Sequence, residues 1–231
     1  MENANTEKIR TGRDALIALA IMHGGDWRAM YEALKSRSTI PEEAYAKADG
    51  VKAVTILDPE YPQTLKNTHQ PPFVLFGDVP AGFMADAHVQ NVDERLFSDD
   101  EKAAHSAVVE ALRKSGASWI ESGSDMTIVW HDGDKSGSFT PFPAGHVTRS
   151  IADSPYRKSI MAGVSRILFV FRYRHDAVGI DISFHLNANG DVYALPHPFQ
   201  DADDKCNELI ENGAGILTRS MLNSYQPSPR G

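Results

Sequence analysis

The sequence predicts an α/β protein: a mostly parallel sheet with helices on both faces, preceded by a small N-terminal helical cap. Three observations predict it. In the last third, apolar strand patterns alternate with short helical patterns across short links, the rhythm of a parallel sheet covered by helices. RILFVF, Arg166 to Phe171, is an almost unbroken apolar run, as a strand buried on both faces requires. The first fifty residues instead place their apolar side chains at helical spacing.

Length and charge fit this reading. The chain has 231 residues, a net charge of −8, 42% hydrophobic and 23% charged residues, an ordinary globular composition. The expected organisation is a helical region over 1–50, one α/β domain over 51–222 and a flexible tail over 223–231. No apolar run approaches the ~20 residues that span a bilayer, so no membrane partner is expected. The charged N-terminus resembles a signal peptide, but Asp14 interrupts its apolar patch and no small-residue cleavage site follows. A single cysteine, Cys206, gives no intramolecular disulfide and no cysteine cluster for zinc; a reducing, cytoplasmic compartment is the simplest expectation.

The elements follow in order. Leu16, Ile17, Leu19, Ala20 and Ile21 mark a first helix, and Gly24-Gly25-Asp26 breaks it. Asp26 is a cap for a second helix through Trp27, Met30, Tyr31 and Leu34. Pro41 suits the first turn of a third, which Gly50 closes. Val51–Leu57 and Phe73–Phe76 read as strands. Signals are weak and acidic from Ala81 to Asp100. A helix from about Asp100 to Lys114 carries the stripe Ala103, Ala104, Ala107, Val108, Ala111 and Leu112, and Ser115-Gly116 ends it. Strands are expected at about Ala117–Ile120 and Met126–His131, able to form a hairpin around Ser122-Gly123-Ser124-Asp125. A polar loop then runs to about Thr148, and a helix starts near Asp153. After RILFVF come a short helix in VGIDISFHLNA, a strand in DVYALP, a helix in DDKCNELIENGA and a final strand in GILTRSM.

Three blocks resemble the DprA/Smf family of DNA-processing proteins. The first is Tyr61-Pro62, Leu65, the double proline Pro71-Pro72 and the strand Val74-Leu75-Phe76-Gly77. The second, RKSIMAGVS, matches the family's RNRIIAGLS segment at Arg157, Ile160, Ala162, Gly163 and Ser165. The third pairs DVYALP with Asn207, Leu209, Ile210, Gly213 and Ala214. The resemblance implies a Rossmann-like domain and a non-enzymatic protein that binds single-stranded DNA through phosphate contacts in DNA uptake and recombination. It also implies a recombinase partner and a homodimer. The family's Gly-Ser-Arg motif after its first domain strand is not found between Gly77 and His105, Lys158 and Ser159 replace two residues of its RNR, and His197 replaces the glycine of its Val-Pro-Gly.

The candidate site is electrostatic. From Arg149 to Arg174 stand six cations and one acid, Asp153, in a chain with 31 acids and 23 bases. Arg157 and Lys158 fall in the first turn of the expected helix, where the dipole favours anions; cations there suit a phosphate held jointly by side chains and amides. Arg149 belongs to the same basic stretch. A solvated charged turn is the competing reading. Ser122 and Gly123 are turn residues by default and phosphate contacts by resemblance. Gly179, in a strand-to-helix turn, would let backbone approach a phosphate, although Asp181 would repel one. Scattered histidines, an Asp132-Gly133 turn and the lack of a G-x-S-x-G elbow leave no metal site, no cofactor and no catalytic set expected. Glu121 alone could serve a nucleotide-cleaving enzyme. Two alternatives stay open beside DNA: a nucleotide-ligand pocket, and a degenerate scaffold that binds protein.

Overall fold

The structure is a computed structural model that describes residues 10–91, 97–123, 127–145, 155–173, 190–197 and 205–224, with backbone alone for Pro155, Arg157 and Lys158. Its N-terminal elements form for local reasons. Thr11 caps helix α1 (Gly12–Met22) in a capping box: its hydroxyl accepts the Asp14 N–H at 3.2 Å, and the Asp14 carboxylate accepts the Thr11 N–H at 2.8 Å. Asp26 Oδ1 accepts the Ala29 N–H at 2.7 Å to start α2 (Trp27–Lys35), and Pro41 precedes α3 (Glu42–Ala48). The apolar face of α1 (Leu16, Ile17, Leu19, Ala20) packs with Met30 and Ala33 of α2 against strands β1 (Ala53–Thr55) and β2 (Val74–Gly77). β1 is shorter than its apolar sequence predicts, because the Asp58 carboxylate takes the Thr55 N–H at 2.7 Å and turns the chain. The short helix α4 (Gln63–Lys66) lies between the two strands, and Tyr61 is fully buried with its hydroxyl donating to Pro72 O at 2.7 Å.

The remaining elements are β3 (Ala85–Val89), α5 (Asp99–Ser115), β4 (Ser118–Ser122), β5 (Ile128–Asp132), β6 (Lys135–Thr140), α6 (Pro155–Gly163), β7 (Ser165–Val170), β8 (Asp191–Ala194), α7 (Cys206–Glu211), β9 (Gly215–Ile216) and α8 (Arg219–Ser224). One sheet holds all nine described strands in the order β1-β2-β6-β5-β4-β3-β7-β8-β9. The expected mostly parallel sheet is corrected to a mixed one. Its pairings divide into four parallel, running β4-β3-β7-β8-β9, and four antiparallel, running β1-β2-β6-β5-β4. The cause is connection length. β4, β5 and β6 are joined by turns too short to return a strand in the same direction.

Helices do cover both faces. α5 and α8 pack over Ala87, Trp119 and Phe169 on one side. α6 packs over Ile120 on the other, and α7 seats Cys206 against Leu168 and Val170 on that same side. α5 matches its predicted stripe except at Ala103, which is exposed: Val108 and Leu112 are buried, Ala104, Ala107 and Ala111 half-buried, and Gly116 ends the helix at φ 70°.

Three further expectations change. The weak stretch from Ala81 holds β3, an interior strand between β4 and β7, with all five residues buried. The expected polar loop after His131 holds β6, so the hairpin around Ser122-Gly123 extends into a three-stranded meander. GILTRSM forms two strand residues and then α8, because the Thr218 hydroxyl accepts the Met221 N–H at 3.1 Å and starts a helix. The helix expected in VGIDISFHLNA lies outside the described residues.

Candidate nucleic-acid interface

From β3 the chain steps to one side through α5 to β4, and later to the other side through α6 to β7. β3 therefore stands at a topological switch point. Open α/β sheets bind ligands beyond the carboxyl ends of the strands at such a point. Here those ends are Val89, Ser122 and Val170. α6 runs directly into β7, and its last turn meets the start of β3, where the Ala85 N–H donates to Val164 O at 2.7 Å. Its first turn, Pro155 to Lys158, therefore lies at the carboxyl end of the strands. Farther along the helix, the Ser122 hydroxyl lies 3.5 Å from Met161 Sδ. The backbone thus places Arg157 and Lys158 at the mouth of the switch point.

The mouth itself is laced by amide side chains. Gln90, just past β3, accepts the Phe171 and Arg172 N–H groups through Oε1 at 2.7 and 3.0 Å, and its Nε2 donates to Arg172 O at 2.8 Å. Asn91 does the same toward β4: its Oδ1 accepts the Ser122 N–H at 3.1 Å and its Nδ2 donates to Ser122 O. Two adjacent side chains thus bind the ends of β7, β3 and β4 together. They fall between Gly77 and His105, the interval in which the family's Gly-Ser-Arg motif is not found. The N–H groups of Ser122, Phe171 and Arg172 at the neighbouring strand ends are thereby given to carboxamide oxygens. On the far side, the Asn207 amide brackets His197, accepting its N–H at 3.0 Å and donating to its carbonyl at 2.8 Å.

The basic stretch divides. Arg172 is not presented to a ligand: its Nε and one terminal nitrogen each donate to Glu101 at 2.8 Å, and its guanidinium lies 5.1 Å from the Phe97 ring centre. Glu101 is 1% exposed and also accepts from Ser98, which caps α5. Burial pushes its carboxyl up, but the hydrogen bonds from Arg172 and Ser98 and the Arg172 charge overcome this and hold it below the usual carboxylate range. Arg166 sits at the opposite end of β7, one residue after the strand begins. Arg157 and Lys158 remain at the mouth. Arg149 and Gly179 lie outside the described residues.

Ser122 and Gly123 lead into the β4–β5 hairpin. The Gly123 N–H donates to Thr127 O at 2.9 Å, and a Cβ on Gly123 would fall 2.1 Å from Thr127 Oγ1. Both amides are thus engaged inside the protein, and the Ser122 hydroxyl is directed at Met161 Sδ. Glu121 faces His131, whose Nε2 lies 3.0 Å from Glu121 Oε1, and the His131 ring stacks on Trp119 with centroids 4.5 Å apart. Asp132 and Asp134 flank Gly133 in the tight β5–β6 turn, and no metal-ligating cluster occurs among the described residues. Sequence reasoning missed Gln90, Asn91 and Glu101. The last had a signal: Ser98-Asp99-Asp100-Glu101 has the S-x-x-E spacing of a capping box.

No family model matches the chain, and no curated protein matches it in sequence. Solved structures do match. The structure of DNA processing protein A (DprA) from Streptococcus pneumoniae superposes with a TM-score of 0.61 at 16% identity, over 93% of this chain and 95% of that one. DNA processing protein A from Helicobacter pylori, which binds single-stranded DNA, gives a TM-score of 0.48 at 13% identity, over 76% of this chain and 96% of that one. The chain has a DprA-like fold.

Proposed function

We propose that this chain of DprA-like fold is a non-enzymatic single-stranded-DNA-binding protein whose phosphate contacts centre on Arg157 and Lys158. One placement carries the proposal: the first turn of α6, with two consecutive cations, stands at the carboxyl end of the switch-point strands. Helix N–H groups, the positive end of the dipole and side-chain cations converge there on one anion-binding position. Arg149, Gly179 and the Ser122–Gly123 corner are the remaining proposed contributors. A cytoplasmic role in DNA uptake or recombination, with a recombinase partner and a homodimer, fits the same reading. Among the described residues no helix is long and apolar enough to cross a membrane.

A small-nucleotide pocket draws less support. Such a site needs open backbone donors at the strand ends, and Gln90 and Asn91 take those of Phe171, Arg172 and Ser122. Glu121, the one candidate for cleaving chemistry, is paired with His131. An extended polyanion needs no such pocket, because each phosphate is held from one side at the surface.

The test is binding of a fluorescently labelled oligo-dT, followed by anisotropy at low salt. Wild-type protein is expected to bind, and the double variant Arg157→Glu/Lys158→Glu to lose binding while keeping its melting temperature. Equal affinity for the two proteins would overturn the proposal.

A further inference from the structure

A second surface lies apart from the strand ends, on α2. Trp27 and Tyr31, one helical turn apart, stack at 5.2 Å between centroids with an 8° interplanar angle. Trp27 also stacks with Phe73 at 5.6 Å and 14°. Tyr31 and Phe73 make no ring contact with each other, so Trp27 lies between them. The ladder is anchored by the Trp27 Nε1–H, which donates to Pro71 O at 2.9 Å. Its far end is open. Tyr31 is 43% exposed, and no further ring or cation lies against it among the described residues.

The face around Tyr31 is basic. Arg28 precedes it by three residues and Lys35 follows it by four, so all three share one side of the helix. Both cations are exposed and form no ion pair among the described residues, and exposed Arg37 follows just past the helix. From Trp27 to Arg37 there are three cations against a single acid, Glu32, in a chain of net charge −8. The surface is also continuous with the α6 turn. Gly25, just before α2, has φ +76° and is so close to the loop after β6 that a Cβ would lie 2.6 Å from Pro141 O. Phe142 in that loop meets the Tyr156 ring edge-on at 6.1 Å, and Tyr156 is the residue before Arg157. Burial, and then the charge of Asp26, the α2 cap, push the Tyr156 hydroxyl's pKa upward, so the start of α2 and the start of α6 are neighbours.

We propose that α2 is a second contact for single-stranded DNA, with a nucleobase stacking on the open face of Tyr31 and adjoining phosphates held by Arg28 and Lys35. An exposed ring at the end of an anchored ladder recognises a flat π-surface, and flanking cations recognise an anion; a single-stranded nucleic acid supplies both at regular spacing. The inference rests on the DNA-binding reading above and extends it from a phosphate grip to a track running from α6 along α2.

The experiment compares oligo-dT with an abasic strand of equal length and charge, on wild type, Tyr31→Ala, Tyr31→Phe and Arg157→Glu/Lys158→Glu. Tyr31→Ala is expected to weaken oligo-dT binding about 5- to 140-fold, the range of one stacked base. Tyr31→Phe, which keeps the ring, should restore most of the affinity. The wild-type preference for oligo-dT over the abasic strand should shrink in Tyr31→Ala by the same factor, and a 5-iodouracil strand should photocross-link to the peptide containing Tyr31. If wild type binds and Arg157→Glu/Lys158→Glu does not, while Tyr31→Ala binds oligo-dT as tightly as wild type, the track is overturned and the α6 grip stands. If wild type binds neither strand, both proposals fall.

Discussion

Glu101 and Arg172 show how one charge pair decides what a basic stretch can do. The carboxylate is almost fully inaccessible and holds the guanidinium through two 2.8 Å hydrogen bonds. Removing one partner leaves the other charge buried, so Glu101→Gln is expected to destabilise the fold by about 3–5 kcal/mol, read by urea unfolding. The pH dependence has a definite sign. The folded carboxyl has a pKa below the unfolded value, so its contribution is present above that value and is lost as pH falls through the folded one. The stability gap between wild type and Glu101→Gln should therefore stay constant near neutrality and shrink below the ordinary value of 4.5. Ser98-x-x-Glu101 was legible as a cap in the sequence. Its second role was not, because Arg172 lies 71 residues away and nothing local links the two.

At the scale of elements, legibility followed apolar pattern. RILFVF and the α5 stripe declare themselves, and both occur with nearly the predicted bounds. β3 does not, because Ala-Asp-Ala-His-Val breaks its apolar run with two polar residues that are nonetheless buried. Asp86 is tolerated there because it accepts the Ser118 N–H at 2.8 Å and the Ser118 hydroxyl at 3.0 Å, a pairing that exists only once β3 and β4 lie side by side. Asp86→Ala orphans that buried N–H and is expected to cost about 1–3 kcal/mol, with faster amide exchange at Ser118 as its local mark. β6 escaped notice for the opposite reason. Its sequence KSGSFT offers a single buried apolar side chain, Phe139, and Gly137 is there because the Trp130 ring occupies the space a Cβ would need, 2.8 Å away. Gly25 joins cap to sheet in the same manner. Gly25→Ala must displace the Pro141 carbonyl or leave a left-handed conformation, and thermal unfolding should show a clear loss of stability.

At the scale of the whole molecule, three sequence blocks pointed to the DprA-like fold but not to the antiparallel half of its sheet, since they sit at the approach to β2, the passage from α6 into β7, and β8 with α7. They said less about the site. The Gln90-Asn91 lacing has no periodicity and no motif, and its meaning depends on three strand ends meeting in space. An acidic protein that binds DNA must do so through a confined basic surface, here proposed to lie on α6 and α2. The most direct measurement is the slope of log affinity for oligo-dT against log salt concentration, for wild type and for Arg157→Glu/Lys158→Glu under conditions where residual binding is measurable. Each phosphate contact on a single strand contributes a slope of about −0.7, so the variant's slope should be shallower by about 1.4 or more. Parallel slopes for the two proteins would mean that the first turn of α6 touches no phosphate, and would contradict the account.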